Sequence, residues 1–460
     1  MKKRSVGGAI VVALIVGVLV IPASSGAIKA GTSCKKAGLQ TIDSGRKYTC
    51  VKKGKKFIWN KGVVVKAAPA ANPSPSATPS PSATPSPSAT PSATPTPSPK
   101  PPRPQLSFIE TLRSPIVDGK FPIEFVEYPK PTRTPTSWDD VYENREGIAY
   151  AAWLSTSKTV STSKSSLGIL TISKGPNTIL PFPDIQRAMD LVSRAFPSAK
   201  QSSKVTLIAF NYDDQTWADA IYRPMLSGES DFFRSNYQNL VIDSCQTSRK
   251  ACWSASGFTL SSGDGIIVLG VVEQDKLVQL DSSYSSMSRS SGGLTVAHEY
   301  FHVVQRKIID RNWFQMGFAP PTWFHEASAV FVENSAMNYD SYEKYMRFRA
   351  VDSKLAYPSC GAASQGCIPV TEAIMLDFLS LSHYSNNWSN FPYGMKYEVS
   401  MRTIEVLVAL KGHESITDVY SYMEQNHTFE EAFLKIYGIT YSSAIPVLAK
   451  IVSEQFANNR

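Results

Sequence analysis

Residues 296–304 read VAHEYFHVV, and this stretch decides what fold and chemistry the sequence predicts. On a helix, His298 and His302 lie one turn apart, so both imidazoles project from one face and can hold a single zinc ion. Glu299 lies beside them, where it can accept a proton from a water molecule that the metal polarises. Apart from the two histidines, Glu299 is the only ionisable acid or base with a full charge at neutral pH in the stretch, which favours a helix buried under a sheet. The alternative is a pair of core histidines with this spacing by chance.

The hydrophobic pattern around this stretch predicts an α+β body. Apolar runs at 205–210 and 265–272 are the clearest strands, and 181–199 has helical periodicity. The second half is mainly helical, with apolar residues at three- and four-residue steps in 294–310, 322–335, 396–411 and 428–437. We therefore divide the body into a mixed part, 105–290, and a helical part that carries the histidines, 291–460.

The N-terminus predicts export from the cytoplasm. Lys2, Lys3 and Arg4 precede an apolar run at 6–21, and small residues follow, which is the pattern of a signal peptide over residues 1–30. An uncleaved anchor is the alternative. No later segment is long and apolar enough to cross a bilayer, so we expect a secreted protein without an integral span, associated with the cell wall or free.

Between the signal and the body lie a small module and a linker. Residues 31–66 are rich in Lys and contain two Cys, with strand-like alternation on both sides of a turn at 52–56. Residues 67–104 repeat Pro, Ser, Ala and Thr and cannot pack, which predicts an extended spacer.

Charge is divided unevenly along the chain. Residues 1–104 have 16 Lys and Arg against one acid, whereas residues 105–460 have 31 against 37. The body has no positive surplus with which to neutralise phosphates, which argues against a nucleic-acid-binding body. The basic module suits contact with anionic wall polymers or acidic lipid. A simple solvated basic surface is the other interpretation of the module.

Six cysteines suit an oxidising compartment and allow 15 connectivities. Pairing sequence neighbours gives the simplest set, Cys34–Cys50, Cys245–Cys252 and Cys360–Cys367. A zinc site made by cysteines is the alternative, although the sequence has no Cys-x2-Cys pair.

Residues 322–329, TWFHEASA, resemble the second zinc motif of the gluzincin metallopeptidases. In that family a Trp-x-x-Glu-Gly-x-Ala segment supplies the glutamate ligand, and Glu326 is its match. The residue that follows is Ala327 where the family has glycine. His325 is the competing ligand, and neighbours on a helix point about 100° apart, so only one of the two can face the metal. Glu333 lies on the same helix face as Glu326, and either orients a histidine or caps the helix.

The same resemblance implies a tyrosine that stabilises the oxyanion of the tetrahedral intermediate. In aminopeptidase-like gluzincins this tyrosine begins a helix, and Tyr397 matches by its spacing to Gly412, with Tyr393 as the alternate. The resemblance spans about 265–440 and implies a zincin-like body with a mixed sheet over the active-site helix. A small Cys-paired module before it is similar to those of secreted actinobacterial proteins.

The sequence thus predicts a secreted zinc metallopeptidase in which His298, His302 and Glu326 hold the metal and Glu299 is the general base. The aminopeptidase Gly-x-Met-Glu-Asn segment is absent, so an endopeptidase acting on peptides or proteins is the natural expectation. Neither a Gly-x-Ser-x-Gly elbow nor a metzincin continuation after His302 is present. The alternatives are an inactive peptidase fold that binds the wall or surface, and a zinc amidase acting on cell-wall material. The other histidines, at 383, 413 and 427, have polar neighbours and are interpreted as surface residues.

Overall fold

The structure is a computed structural model of the whole chain. It describes residues 130–253, 255–272, 292–309, 320–352, 370–381 and 395–457, with Arg289, Phe391, the strand pair at 359–360 and 367–368, and short stretches within 32–64. The chain divides into two compact units, Met1–Pro99 and Lys100–Arg460. The predicted signal peptide, linker, Cys34, His383 and Tyr393 lie outside the described residues.

The second unit contains thirteen α-helices and eight β-strands among the residues described. The strands are β5 (Ile169–Lys174), β6 (Lys204–Phe210), β7 (Cys245–Gln246), β8 (Ala251–Cys252), β9 (Ala255–Thr259), β10 (Gly265–Gly270), β11 (Ser359–Cys360) and β12 (Cys367–Ile368). The helices are α1 (Ile148–Thr162), α2 (Ile185–Ala195), α3 (Gln215–Met225), α4 (Asp231–Tyr237), α5 (Leu240–Asp243), α6 (Leu294–Ile308), α7 (Thr322–Met337), α8 (Tyr342–Asp352), α9 (Glu372–Leu381), α10 (Glu398–Lys411), α11 (Glu414–Met423), α12 (Phe429–Tyr437) and α13 (Tyr441–Ala457).

The centre of this unit is a mixed sheet of four strands in the order β5-β6-β10-β9. Strand β6 pairs in parallel with β5 and β10, and β9 pairs antiparallel with β10. Alternate residues of β10 enter different cores, because Ile267 packs with the long helices whereas Ile266 packs with α3 and α4. Helices therefore cover both faces of the sheet. The predicted α+β class is confirmed, and so are the strands expected at 205–210 and 265–272.

Helix α6 lies directly against edge strand β9, and a glycine permits the close approach. A Cβ on Gly257 would lie 1.8 Å from the backbone oxygen of Glu299, so only glycine fits there. One turn further along the helix, the Thr259 hydroxyl donates to the backbone oxygen of Val303 at 3.0 Å. These contacts fix the height of α6 on the sheet.

Helix α7 packs against α6, and α10 and α1 pack on α7, so the centre of the helical part is buried. Trp323, Phe324 and Phe331 of α7 and Phe301 of α6 are fully buried. The helices predicted at 294–310, 322–335, 396–411 and 428–437 correspond to α6, α7, α10 and α12, with ends shifted by at most two residues. Helix α1, by contrast, has no counterpart among the predicted elements.

The first unit contains the small basic module. Its strands are β1 (Gln40–Asp43), β2 (Arg46–Lys53), β3 (Lys56–Trp59) and β4 (Val63–Val64), and β2 pairs antiparallel with the other three. The predicted two strands around residues 52–56 are β2 and β3. Cys50 is fully buried and disulfide-bonded.

The disulfide Cys245–Cys252 is present as predicted, with the Cα atoms 4.0 Å apart across the β7–β8 pair. Cys360 and Cys367 are register partners in the β11–β12 pair, an arrangement compatible with their predicted pairing, which stays a prediction.

The surface interpretation of His413 is wrong. The residue is 3% exposed, its Nδ1 lies 2.8 Å from the Ser155 hydroxyl, and its Nε2 donates to the backbone oxygen of Ala195. Its partners lie more than 200 residues away in sequence, so the polar neighbours along the chain gave no sign of burial. His413 is a structural residue that joins α1, α2 and the start of α11.

No single helix within the described ranges is long and apolar enough to cross a bilayer; one bent pair, α12 with α13, passes on length and composition taken together.

Candidate metal centre

Two neighbouring helices bring three potential metal ligands together. His298 and His302 project from α6, and Glu326 projects from the first turn and a half of α7. The two Nε2 atoms lie 3.0 Å apart, and Glu326 Oε2 lies 3.2 Å from His302 Nε2 and 3.6 Å from His298 Nε2. These residues form a group that can hold a metal ion.

The far side of His302 is held by Gln305, one turn along α6. Gln305 Oε1 lies 2.7 Å from His302 Nδ1, while its Nε2 donates to the backbone oxygen of His325 and to the Ser328 hydroxyl. A backbone oxygen only accepts hydrogen bonds, so the amide nitrogen must face His325 and the amide oxygen must face His302. The proton of neutral His302 therefore lies on Nδ1, and Nε2 presents a lone pair.

The far side of His298 is held by Glu333. Glu333 is completely buried on α7, and its Oε2 lies 2.9 Å from His298 Nδ1. Arg289 neutralises this carboxylate, with its two terminal nitrogens 2.6 Å and 3.0 Å from the two oxygens. Of the two roles considered for Glu333, this is the position expected for orienting a histidine. A carboxylate attracts an N–H group, so this contact favours the form of neutral His298 that has its proton on Nδ1 and a lone pair on Nε2.

The resulting donor set fits a divalent cation. Two imidazole lone pairs and a carboxylate oxygen converge on one point. When both histidines are neutral, no proton lies between these atoms, and their lone pairs repel one another. A tetrahedral ion with bonds of about 2.0–2.1 Å holds its ligand atoms roughly 3.3 Å apart. The observed separations of 3.0, 3.2 and 3.6 Å lie around that value. A cation bound between these atoms would remove the repulsion between their lone pairs. Cation binding is therefore a physical reason for the close approach of the three ligand atoms.

Without a metal, the same lone pairs attract a proton. Burial alone would lower the pKa of His298, but its contacts with Glu326 and Glu333 outweigh burial and raise the pKa to about 10. Burial would raise the pKa of Glu326, but the favourable electrostatic interactions of its carboxylate with His302 and His298 hold it well below its usual range. The metal-free site therefore binds a proton in the place where a cation fits.

Glu299 lies beside this group but is not one of its ligands. It is 7% exposed, and no described side chain donates a hydrogen bond to its carboxylate. Burial raises the pKa of Glu299, and the neighbouring His298 and His302 oppose that change in part. A buried carboxylate with a raised pKa is a stronger base than an exposed one.

His325, the competing ligand of the sequence analysis, does not point into the group. Its ring stacks against the ring of His302 with centroids 4.4 Å apart, and its Nδ1 lies 3.2 Å from the Tyr420 hydroxyl. Burial, with the electrostatic influence of the neighbouring His302, holds the pKa of His325 well below its usual range, so this ring stays neutral. Glu326 is the residue of α7 that faces the two histidines.

Tyr397 lies at the start of α10, as predicted, and close to the metal group. Its ring is nearly parallel to that of His298, with centroids 6.3 Å apart. Lys396, which precedes it, is 7% exposed, and burial lowers the pKa of Lys396 to about 7 against the opposing charge of Glu326. The start of α10 thus brings a phenol and an amine to the side of the site.

Sequence reasoning missed Gln305, Arg289, Ser328 and Lys396. Gln305 lies three residues after His302, and this helical spacing was the one signal that could have identified it. The other three reach the site only through packing between elements, which no local pattern encodes.

Comparisons of the chain with protein-family models, with curated proteins and with solved structures found no match. The resemblance to gluzincins therefore depends on the two sequence motifs that supply His298, His302 and Glu326.

Proposed function

We propose that this chain is a zinc-dependent hydrolase of peptide bonds, with an endopeptidase activity. The convergence of two imidazole Nε2 atoms and one carboxylate oxygen, beside a buried glutamate to which no described side chain donates a hydrogen bond, is the observation that carries the proposal. Two His and one Glu form a known ligand set of catalytic zinc, which leaves a fourth position open.

Each residue of the site has a role in this proposal. His298, His302 and Glu326 would hold the ion, which when bound acts as a Lewis acid toward water and a substrate carbonyl group. Glu299 accepts the proton of the attacking water and then passes it to the nitrogen of the leaving amine. The raised pKa of Glu299 suits the first step, because a carboxylate that binds a proton too weakly would be a poor base.

Tyr397 is the proposed donor to the oxyanion of the tetrahedral intermediate. The support is its position beside His298, at the start of α10. A phenol hydroxyl can donate a hydrogen bond to the developing oxyanion. Such a donor typically contributes a factor of about 10²–10³ to the rate. Tyr397→Phe is therefore expected to lower kcat by that factor while zinc binding is unchanged.

The proposal is tested by incubating the full chain, loaded with Zn²⁺, with a mixed peptide library and identifying the products by mass spectrometry. Glu299→Gln is the matched control, because it keeps the three ligands and removes the base. We expect cleavage by the wild type and a loss of several orders of magnitude in the variant. Equal cleavage by both proteins would refute the role of Glu299.

The same experiment separates the alternative functions. A folded protein that binds zinc but cleaves no peptide would instead be tested on purified cell-wall material, where release of amines would indicate an amidase. A protein that binds zinc and hydrolyses neither substrate would be an inactive fold. Retention of a buried base beside three ligands argues against that outcome, since metal binding alone does not require Glu299.

The basic module supports a proposal about location outside the cell. Lys52, Lys53, Lys56 and Lys61 are all exposed, and residues 31–66 have ten basic residues against one acid. Lys53 and Lys56 are cross-strand partners on one face of the β2–β3 hairpin, whereas Lys52 projects from the other face. A flexible anionic wall polymer can wrap the hairpin and contact positive charge on both faces, whereas a flat membrane can contact only one face. The charge distribution therefore favours the polymer as the partner. The test is binding of the full chain to a soluble poly(glycerol phosphate), with anionic vesicles as comparison.

A further inference from the structure

We propose that Gln305 is a positioning residue for the metal. Its amide oxygen fixes the orientation of His302 and the position of its proton. Its amide nitrogen is held by hydrogen bonds to α7, the helix that carries Glu326. The inference depends on the proposed metal site and concerns how this chain builds it. It assigns to Gln305 a contribution to metal affinity without direct contact with the ion.

The contacts of Gln305 account for all of its polar atoms. The side chain is 0% exposed, and its Oε1 is used by His302 Nδ1 at 2.7 Å. Its Nε2 donates to His325 O at 3.0 Å and to Ser328 Oγ at 2.8 Å. A buried amide is costly unless such bonds are made, so a residue needed only for packing would be better replaced by an apolar side chain of the same size.

The direction of each hydrogen bond is fixed by a partner that can act in only one way. The Ser328 hydroxyl donates to His325 O at 3.0 Å, which leaves its oxygen to accept from Gln305. His325 O accepts from both Ser328 and Gln305, which excludes the flipped amide. The chain of bonds therefore runs from α7 to Gln305 and then to the back of His302.

This chain of bonds ties the two halves of the ligand set together. Helix α6 supplies both histidines, and α7 supplies Glu326, the residue that follows His325. Gln305 is hydrogen-bonded to the backbone of His325. A shift of the first turn of α7 would therefore move both the Glu326 carboxylate and the Gln305 side chain that contacts His302. Residues that orient metal-binding histidines in this way typically change metal affinity about 10–100-fold.

Three variants of the full chain separate orientation from packing. Gln305→Met keeps the length and loses both the acceptor and the donor, so we expect Zn²⁺ affinity to fall about 10–100-fold. Gln305→Glu keeps an acceptor for His302 Nδ1, so we expect a smaller loss than in Gln305→Met. Gln455→Met is the matched control: Gln455 is also buried on a helix and accepts from Arg349 at 3.2 Å, far along the chain from the ligands.

The measurement is competition for Zn²⁺ with a chromophoric chelator at fixed pH, combined with the thermal unfolding of each metal-free protein. We expect Gln455→Met to lower the unfolding temperature and leave zinc affinity unchanged. The visible spectrum of the Co²⁺-loaded proteins reports ligand geometry independently of affinity, and we expect it to change in Gln305→Met alone.

Two results would overturn the inference while the proposed function survives. One is a Gln305→Met protein with wild-type zinc affinity, and the other is a Gln305→Glu protein that loses as much affinity as Gln305→Met. A wild-type chain that binds no Zn²⁺ would instead refute the proposed function, and with it the metal that Gln305 is inferred to position.

Discussion

Metal binding to this site is expected to become tighter as the pH rises. In the metal-free protein the pKa of His298 is raised to about 10, so at pH 7 its imidazole binds a proton on both nitrogens. A metal needs the Nε2 lone pair and must displace that proton. Since the protonated form dominates at every pH below the pKa, raising the pH removes the competitor and strengthens binding.

The size of the effect follows from that pKa. Below it, each pH unit changes the fraction of unprotonated His298 tenfold, or about 1.4 kcal/mol of apparent binding free energy. Between pH 6 and pH 8 the apparent affinity should therefore rise about 100-fold. Glu326 adds nothing in this range, because its pKa lies well below its usual value and the carboxylate is already ionised.

The assay is calorimetric titration of the apoprotein with Zn²⁺ at several pH values, each in two buffers with different ionisation enthalpies, so that proton release is counted directly. Glu333→Gln removes one of the two contacts that raise the pKa of His298, and its affinity should approach a plateau at lower pH than in the wild type. A wild-type affinity that stops rising above about pH 7 would refute the reasoning, because His298 would then titrate near its ordinary pKa.

Three further predictions concern the ligand choice and the stability of the fold. Glu326→Ala should abolish stoichiometric zinc binding, measured by elemental analysis after dialysis, while His325→Ala keeps it; the reverse result would move the ligand by one residue. Burial lowers the pKa of His413, so the folded state resists its protonation and the free energy of unfolding should decline as the pH falls below about 6.5. Denaturant titrations of His413→Gln should lack that part of the decline, and an unchanged profile would contradict it. Glu405→Ala leaves the buried Arg349 without its bidentate partner and should cost about 3–5 kcal/mol in the same titrations, and a loss under about 1 kcal/mol would show that the pair is dispensable.

Helical spacing explains why the two potential metal ligands of α6 could be identified from sequence. His298 and His302 are four residues apart, and any helix brings such residues to one face whatever surrounds it. Glu326 lies on a different helix, and its place in the group depends on the packing of α7 against α6. Its assignment in the sequence came from resemblance to a family and not from spacing, and the same packing decides between Glu326 and its neighbour His325.

Residues whose role depends on distant parts of the chain could not be predicted. His413 has polar neighbours in sequence, yet Ser155 and Ala195 enclose it from two other helices. Arg289 reaches Glu333 across 44 residues, and nothing in the sequence of either segment indicates the partner. In both cases a polar side chain is buried because distant parts of the chain supply its hydrogen-bond or ion-pair partner. That partner is a property of the packed structure and not of the local sequence pattern.

Gly257 shows how the sheet contributes to the chemistry without adding a ligand. Strand β9 is held in register by β10, with Gly257 opposite the fully buried Ile267. The missing side chain lets the strand approach the backbone oxygen of Glu299, the residue after His298. The height of α6 on the sheet, and so the position of the proposed base, is therefore set by a contact between two backbones. Ligand spacing on α6 provides two of the donors, but where they lie relative to Glu326 depends on β9 beneath and α7 above.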